Sequence, residues 1–398
     1  MKRRALAPLA ALVAVAGCAD LFGFEQLNLA DAGGPDSSVP DVAPDVAPDA
    51  ATDATIDAGP DVTGCQSVRW PGEPDASSNA VPTNYDLAIR HVHLTSTEDG
   101  GAANFGFDLD RKCTVDLASA SCQPANPSEV IPDNPGGVDN ESIDLINTLI
   151  GKEPAIASAL GDDALNALID AGQFSVLIRI SGLQSDQHQT SKQGLSIALQ
   201  AAPHLVTAPP QWDGLDRWQV AASDTAEGLD GGSNYPAAAL FLPALVNDGT
   251  LVATGEGPET LTLVLPTFGT LTGVLPIKLS QVVVTGKLVL RGDGQYDMTQ
   301  GLIAGRWAAA DALEAIASLS YDGGALCAGA NAFIYDFLTK IACPKRDINA
   351  TGFDDDSHAC DAFSVVVAFD AVATEVSNIP VPDPVSATPC ADAGLCSN

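Results

Sequence analysis

Val282-Val283-Val284-Thr285-Gly286-Lys287-Leu288-Val289-Leu290 is the stretch on which the fold reading turns. β-Branched and aliphatic residues follow one another without a helical period and stop at Arg291-Gly292-Asp293, so the stretch reads as a strand running into a hairpin turn. Toward the N-terminus the same grammar repeats at 174–180, 195–199, 218–222, 250–254, 260–265 and 275–279, each run punctuated by Gly, Asn, Asp or Pro. An earlier strand is Tyr85-Asp86-Leu87-Ala88-Ile89-Arg90-His91-Val92-His93-Leu94, where apolar residues alternate, and a long apolar run at 363–373 suits a sheet interior. Helical spacing is confined to 140–150 and 154–171, where Ile143, Ile146, Leu149 and Ile150, then Leu165, Leu168 and Ile169 recur, and to 308–319 and 332–342. Gly151 and Gly172 stand where helices commonly end. Many short strands with turns between them predict a mainly-β domain, an antiparallel β-sandwich or jelly-roll-like body with helical insertions. Because the early strand and the late one both need partners from the central run, residues 65–398 are expected to form a single domain.

The chain has 398 residues, 46% of them hydrophobic but only 5% aromatic, so an aliphatic core is expected. Its formal charge of −33 sets it against nucleic acid, whose phosphates carry the same sign. Such acidity serves solubility, or it serves divalent cations.

Residues 1–18 have their own character. Lys2, Arg3 and Arg4 precede an apolar stretch, 5–16, that is too short to remain as a membrane span. It ends Val15-Ala16-Gly17-Cys18, which resembles the bacterial lipobox. That resemblance implies cleavage before Cys18 and a thioether from its thiol to diacylglycerol, with acyl chains such as palmitate holding the protein on a lipid bilayer. It also implies an envelope location. Ala19 after the cysteine points to the outer membrane, with the domain periplasmic or surface-exposed.

Residues 19–64 read as an acidic disordered tether. Between Asp20 and Asp61 lie ten acids and no base, and Asp41, Asp45, Asp49, Asp53, Asp57 and Asp61 fall on a period of four. A helix would stack those like charges on one face, and Pro40, Pro44, Pro48 and Pro60 would break its ladder. An extended chain at about 3.1 Å per residue reaches on the order of 130 Å. This Asp-Ala-Pro-Val composition after a lipobox resembles the tethers of myxobacteria-like surface lipoproteins, as do Gly106-Phe107-Asp108-Leu109-Asp110 and Cys360-Asp361-Ala362-Phe363-Ser364. The resemblance brings no known activity with it.

Setting Cys18 aside leaves Cys65, Cys113, Cys122, Cys327, Cys343, Cys360, Cys390 and Cys396, an even set that implies disulfides in an exported chain. The shortest loops suggest Cys113 with Cys122 and Cys390 with Cys396, leaving the other four to pair among themselves. No C-x-x-C spacing suggests zinc.

Sites of chemistry are sparse. His91 and His93 share a strand face, where they are either a metal pair or partly buried alongside Leu87 and Ile89. Asp108 and Asp110, and the run Asp354, Asp355 and Asp356 near Asp347 and Asp361, are acidic loops that either face water or hold calcium, though neither has EF-hand spacing. There is no G-x-S-x-G elbow and no phosphate-binding P-loop. Trp212, Trp218, Trp307 and Tyr235 either stack on sugars or fill a core. The expectation is a membrane-anchored envelope lipoprotein with a binding or structural role, touching envelope polysaccharide or protein. A secreted polysaccharide hydrolase and a calcium-stabilised structural module are the alternatives.

Overall fold

The alternating runs become strands, and most of them join one sheet. A computed structural model describes residues 68–72, 82–94, 105–152, 161–184, 194–222, 242–255, 261–267, 271–352, 357–377, 379–382, 389–390, 394 and 396. In chain order the elements are β1 (Pro82–His93), α1 (Glu141–Lys152), α2 (Asp162–Asp170), β2 (Ser175–Gln184), β3 (Ser196–Ala202), β4 (His204–Leu205), β5 (Arg217–Gln219), β6 (Leu242–Asn247), β7 (Thr250–Thr254) and β8 (Leu261–Thr267). There follow β9 (Leu271–Leu290), β10 (Tyr296–Ala308), α3 (Ala309–Ala317), β11 (Ser320–Tyr321), β12 (Gly324–Ala325), α4 (Ala332–Ala342), β13 (Ala362–Ala373) and β14 (Glu375–Val376).

The large sheet is wholly antiparallel and has eleven strands. It closes on itself. Hydrogen bonding runs from β10 to β13, β1, β2, β3, β6, β7 and β9, and β9 then pairs back onto β10. Over Val283 to Lys287, β9 carries β7 on one edge and β10 on the other, so the expected sandwich has layers joined into a ring. Closure removes the unpaired edges that make open sheets aggregate. The mainly-β, antiparallel fold class read from the sequence is the one that forms.

Continuous apolar runs have a simple cause here, because both faces of the wall are covered. Val282 and Val284, Val365 and Val367, and Ile178 and Ile180 belong to the main core, with helix residues Leu149, Leu165 and Ile169. The intervening Val283 and Val366 point outward, into a second cluster with Phe107, Leu109, Ile348 and Ala362. Ala88 and Leu177 point outward into a third, around Trp218, Val220 and Leu205. Two outer aprons therefore dress the ring, one from residues 105–139 with 343–352 and 357–362 and the other from β4, β5 and β14.

Strand β10 has no counterpart in the sequence reading, and the strands read at 275–279 and 282–290 are one strand, β9. Gly301 and Gly305 interrupt the apolar pattern of β10, yet the packing calls for small residues there. A Cβ at Gly301 would meet the buried ring of Phe369, its ladder partner on β13. Gly301→Val should therefore cost about 2 kcal/mol or more through overpacking. Chemical denaturation checks this, and a midpoint equal to wild type would show that the ring can move aside.

The disulfides correct the short-loop pairings. Cys122 bonds Cys360, Cys327 bonds Cys390, and Cys343 bonds Cys396, across 238, 63 and 53 residues. Cys113 is also disulfide-bonded, and Cys65 lies outside the described residues. Gln123 accepts the Cys360 N–H and donates to His358, and this pairing sets Cys122 beside Cys360 rather than Cys113. Cys390 and Cys396 strap the C-terminal segment to residues before and after α4 instead of bonding each other. Among the described residues, no helix is long and apolar enough to cross a membrane.

Candidate functional site

The first apron carries three buried carboxylates, those of Asp108, Asp110 and Asp139. Gly106-Phe107-Asp108-Leu109-Asp110 makes one isolated bridge at Phe107, with bends on either side. Phe107 and Leu109 enter the second cluster, and Asp108 and Asp110 turn the other way. Gly106 has a φ of +141°, and a Cβ there would stand 2.8 Å from Val138, so only glycine lets the segment lie this close. A bridge between Phe107 and Asp139, with Asp139 N–H donating to Phe107, carries a third carboxylate to the pair.

Carboxylate oxygens of Asp108, Asp110 and Asp139 lie within 4.8 Å of one another, the one such group of metal-ligating side chains among the described residues. The three residues are 1%, 1% and 4% exposed. Protein donors orient each one. Asp139 Oδ2 accepts N–H bonds from Leu109 at 2.6 Å and Asp110 at 3.2 Å, Asp110 Oδ1 accepts from the Lys112 N–H at 2.9 Å, and Arg69 stands 3.4 Å from Asp108 Oδ2. Asp133 belongs to the surrounding shell and accepts the Thr114 N–H, and Asp347 accepts both the N–H and the hydroxyl of Ser364.

Crowding and burial make these charges expensive. Burial, then the neighbouring Asp110, pushes Asp133 up to about 8. Burial with the same neighbours holds Asp139 well above the usual carboxylate range, and burial raises Asp347 to about 6. Asp110 is raised by burial and by Asp108, while the nearby Ser121 hydroxyl, the Lys112 N–H and Arg306 pull the other way. Glu141 is pushed to about 8 by burial and Asp347, although Lys345 Nζ lies 2.6 Å away. Arg306, 2% exposed, reaches across from β10 and donates to Leu109 O at 2.7 Å and Asn349 O at 2.8 Å, binding both halves of the apron to the ring.

The other residues singled out by sequence fall elsewhere. Asp354, Asp355, Asp356, Tyr235 and Cys18 lie outside the described residues, and Asp361 is exposed, capping the Ala350 N–H. His91 and His93 do share a face, but not with Leu87 and Ile89. A bulge between Ile89 and His91 flips the parity, so Val92 and Leu94 point into the core and the histidines point away. They belong to no metal-ligating group. Trp218 is wholly buried with Trp212 packed on it, and Trp307 packs against the main core, so the three present no common stacking face. Arg291-Gly292-Asp293 forms the β9–β10 turn, with Arg291 paired to Asp293 and Asp297. Sequence reading missed Asp139, Asp133 and Arg306. The signal for Asp139 was the turn Gly136-Gly137-Val138 just ahead of it, where both glycines take positive φ.

No protein-family model, no curated protein and no solved structure matches the chain. The class that can be stated is a closed, antiparallel β domain with a buried carboxylate cluster beneath one apron.

Proposed function

We propose that this chain is a lipoprotein held on the envelope by acylated Cys18, presenting its β domain on the acidic tether as a non-catalytic binding or structural element. The observation that carries the non-catalytic part is where the carboxylates sit. The clustered ones are buried inside the apron, 1%, 1% and 4% exposed, where a polymeric substrate has no path to them. An open hollow lined by Asn84, Tyr85, Asp86, Arg217, Gln295 and Glu375 does hold two acids. There Asp86 meets Arg179 at 2.8 Å and Glu375 meets Arg217 at 2.8 Å, so each is engaged by a guanidinium instead of standing ready to protonate a leaving group. The lipobox residues Val15-Ala16-Gly17-Cys18 support the anchor, and envelope polysaccharide or protein is the partner proposed.

Two measurements test this reading. In cell fractionation the wild-type chain should pellet with membranes and Cys18→Ser should stay soluble; a serine variant that still pellets would place the anchor elsewhere. The full-length chain in detergent should retain an envelope component intact. New reducing ends in the polysaccharide fraction would replace this reading with hydrolysis.

A further inference from the structure

Five carboxylates, the buried Asp108, Asp110 and Asp139 and the half-buried Asp133 and Asp347, interact in one region where two guanidiniums, those of Arg69 and Arg306, stand against them. Among the described residues the carboxylates outnumber these cations, and a low-dielectric interior does not tolerate the surplus charge on the buried Asp108, Asp110 and Asp139. Either protons or a metal ion must neutralise them. One independent detail favours the metal. Asp110 Oδ2 is buried and makes no hydrogen bond of ordinary geometry, the Ser121 hydroxyl lying near the carboxylate without completing one, although its partner oxygen, Oδ1, is held by the Lys112 N–H. A protonated acid in that place would seek an acceptor, whereas an anionic oxygen fixed by its neighbours is what a cation requires.

We propose that Asp108, Asp110 and Asp139 bind a calcium ion, which fastens the Asp108–Asp110 stretch to Asp139 and so closes the apron of residues 105–139 on itself. The donors are all oxygen, which excludes the softer metals that prefer nitrogen or sulfur. Their mutual spacing, within 4.8 Å, suits an ion whose oxygens stand about 2.3–2.6 Å from it. Magnesium keeps several waters and gives them up reluctantly, so a site this deeply buried favours calcium. The neighbouring Ser121 hydroxyl, also buried, supplies a further neutral oxygen. This deepens the structural role proposed above and rests on it.

The test uses the full-length chain, stripped with EGTA and reloaded with calcium alone or magnesium alone. Calcium should raise the melting temperature by roughly 5–10 °C, and magnesium at the same concentration should not. About one calcium per chain should survive gel filtration, read by elemental analysis. Asp110→Asn should abolish the calcium-dependent rise. If protons neutralise the cluster instead, Asp110→Asn relieves repulsion, melts higher than wild type and ignores calcium, and the proposal falls. It falls equally if the asparagine variant keeps the full rise, because the ion is then bound elsewhere. Should that variant not fold, the metal content of the wild-type chain decides alone, and a chain that retains no calcium overturns the site. Wild-type chain that ignores calcium yet pellets through Cys18 would remove the ion and leave the anchored structural reading standing.

Discussion

Removing the buried Cys122–Cys360 disulfide with the pair Cys122→Ser and Cys360→Ser is expected to destabilise the domain by about 2–5 kcal/mol. The bond spans 238 residues, and it ties the 105–139 segment to the 357–360 segment, just ahead of β13. Without it the unfolded chain regains the freedom of a very long loop, worth about 5 kcal/mol in the chain-entropy description. The backbone pairing of Gln123 with His358 and Cys360 remains. Both cysteines are replaced so that no free thiol is left to reshuffle. Denaturant unfolding under non-reducing conditions measures the loss. A midpoint unchanged from wild type would mean that the apron is held by its apolar contacts and Arg306 alone.

Arg306→Met should cost about 3–5 kcal/mol, by a different route. The guanidinium is buried and serves two carbonyls on separate segments, Leu109 O and Asn349 O, while facing Asp110. Methionine fills much of the volume, yet it leaves both carbonyls without their charged donor and the carboxylates without their nearest buried cation. Lysine should rescue only in part, since one ammonium on a flexible stem cannot reproduce a planar fork reaching two acceptors. Urea denaturation of the three proteins gives the comparison. A methionine variant within 1 kcal/mol of wild type would show that the arginine merely fills space. The Cys122/Cys360 and Arg306 effects should not add fully, because both act on the same apron.

The elements were legible where local pattern and tertiary need agree. The strand Thr250–Thr254 and the helix Ala332–Ala342 have the bounds their periodicity predicts. Agreement fails at β10, where Gly301, Gly305 and Arg306 break the apolar alternation. Each makes sense only beside a neighbour distant in sequence: the Phe369 ring, the Leu279 side chain, and the carbonyls of Leu109 and Asn349. The reading of β9 as two strands fails likewise. Gln281 takes a φ of +51° between them, and the ladder to β10 continues on both sides. Of the carboxylate cluster, Asp108-Leu109-Asp110 was visible as a motif, because two acids one residue apart stand out in the sequence itself. Asp139, some thirty residues on, joins it through the Phe107 bridge.

By itself, then, the sequence determined the mainly-β, antiparallel character and the positions of the four α-helices among the described residues, since periodicity and turn residues act over a few neighbouring residues. Ring closure, the burial of both faces of β9 and β13, the disulfide partners and the assembly of the carboxylates were decided by tertiary structure. Closing a long loop costs little more than closing a short one, so nearness in sequence does not choose a cysteine's partner. Packing across the ring and its aprons chooses it, and the same packing brings Asp108, Asp110 and Asp139 together.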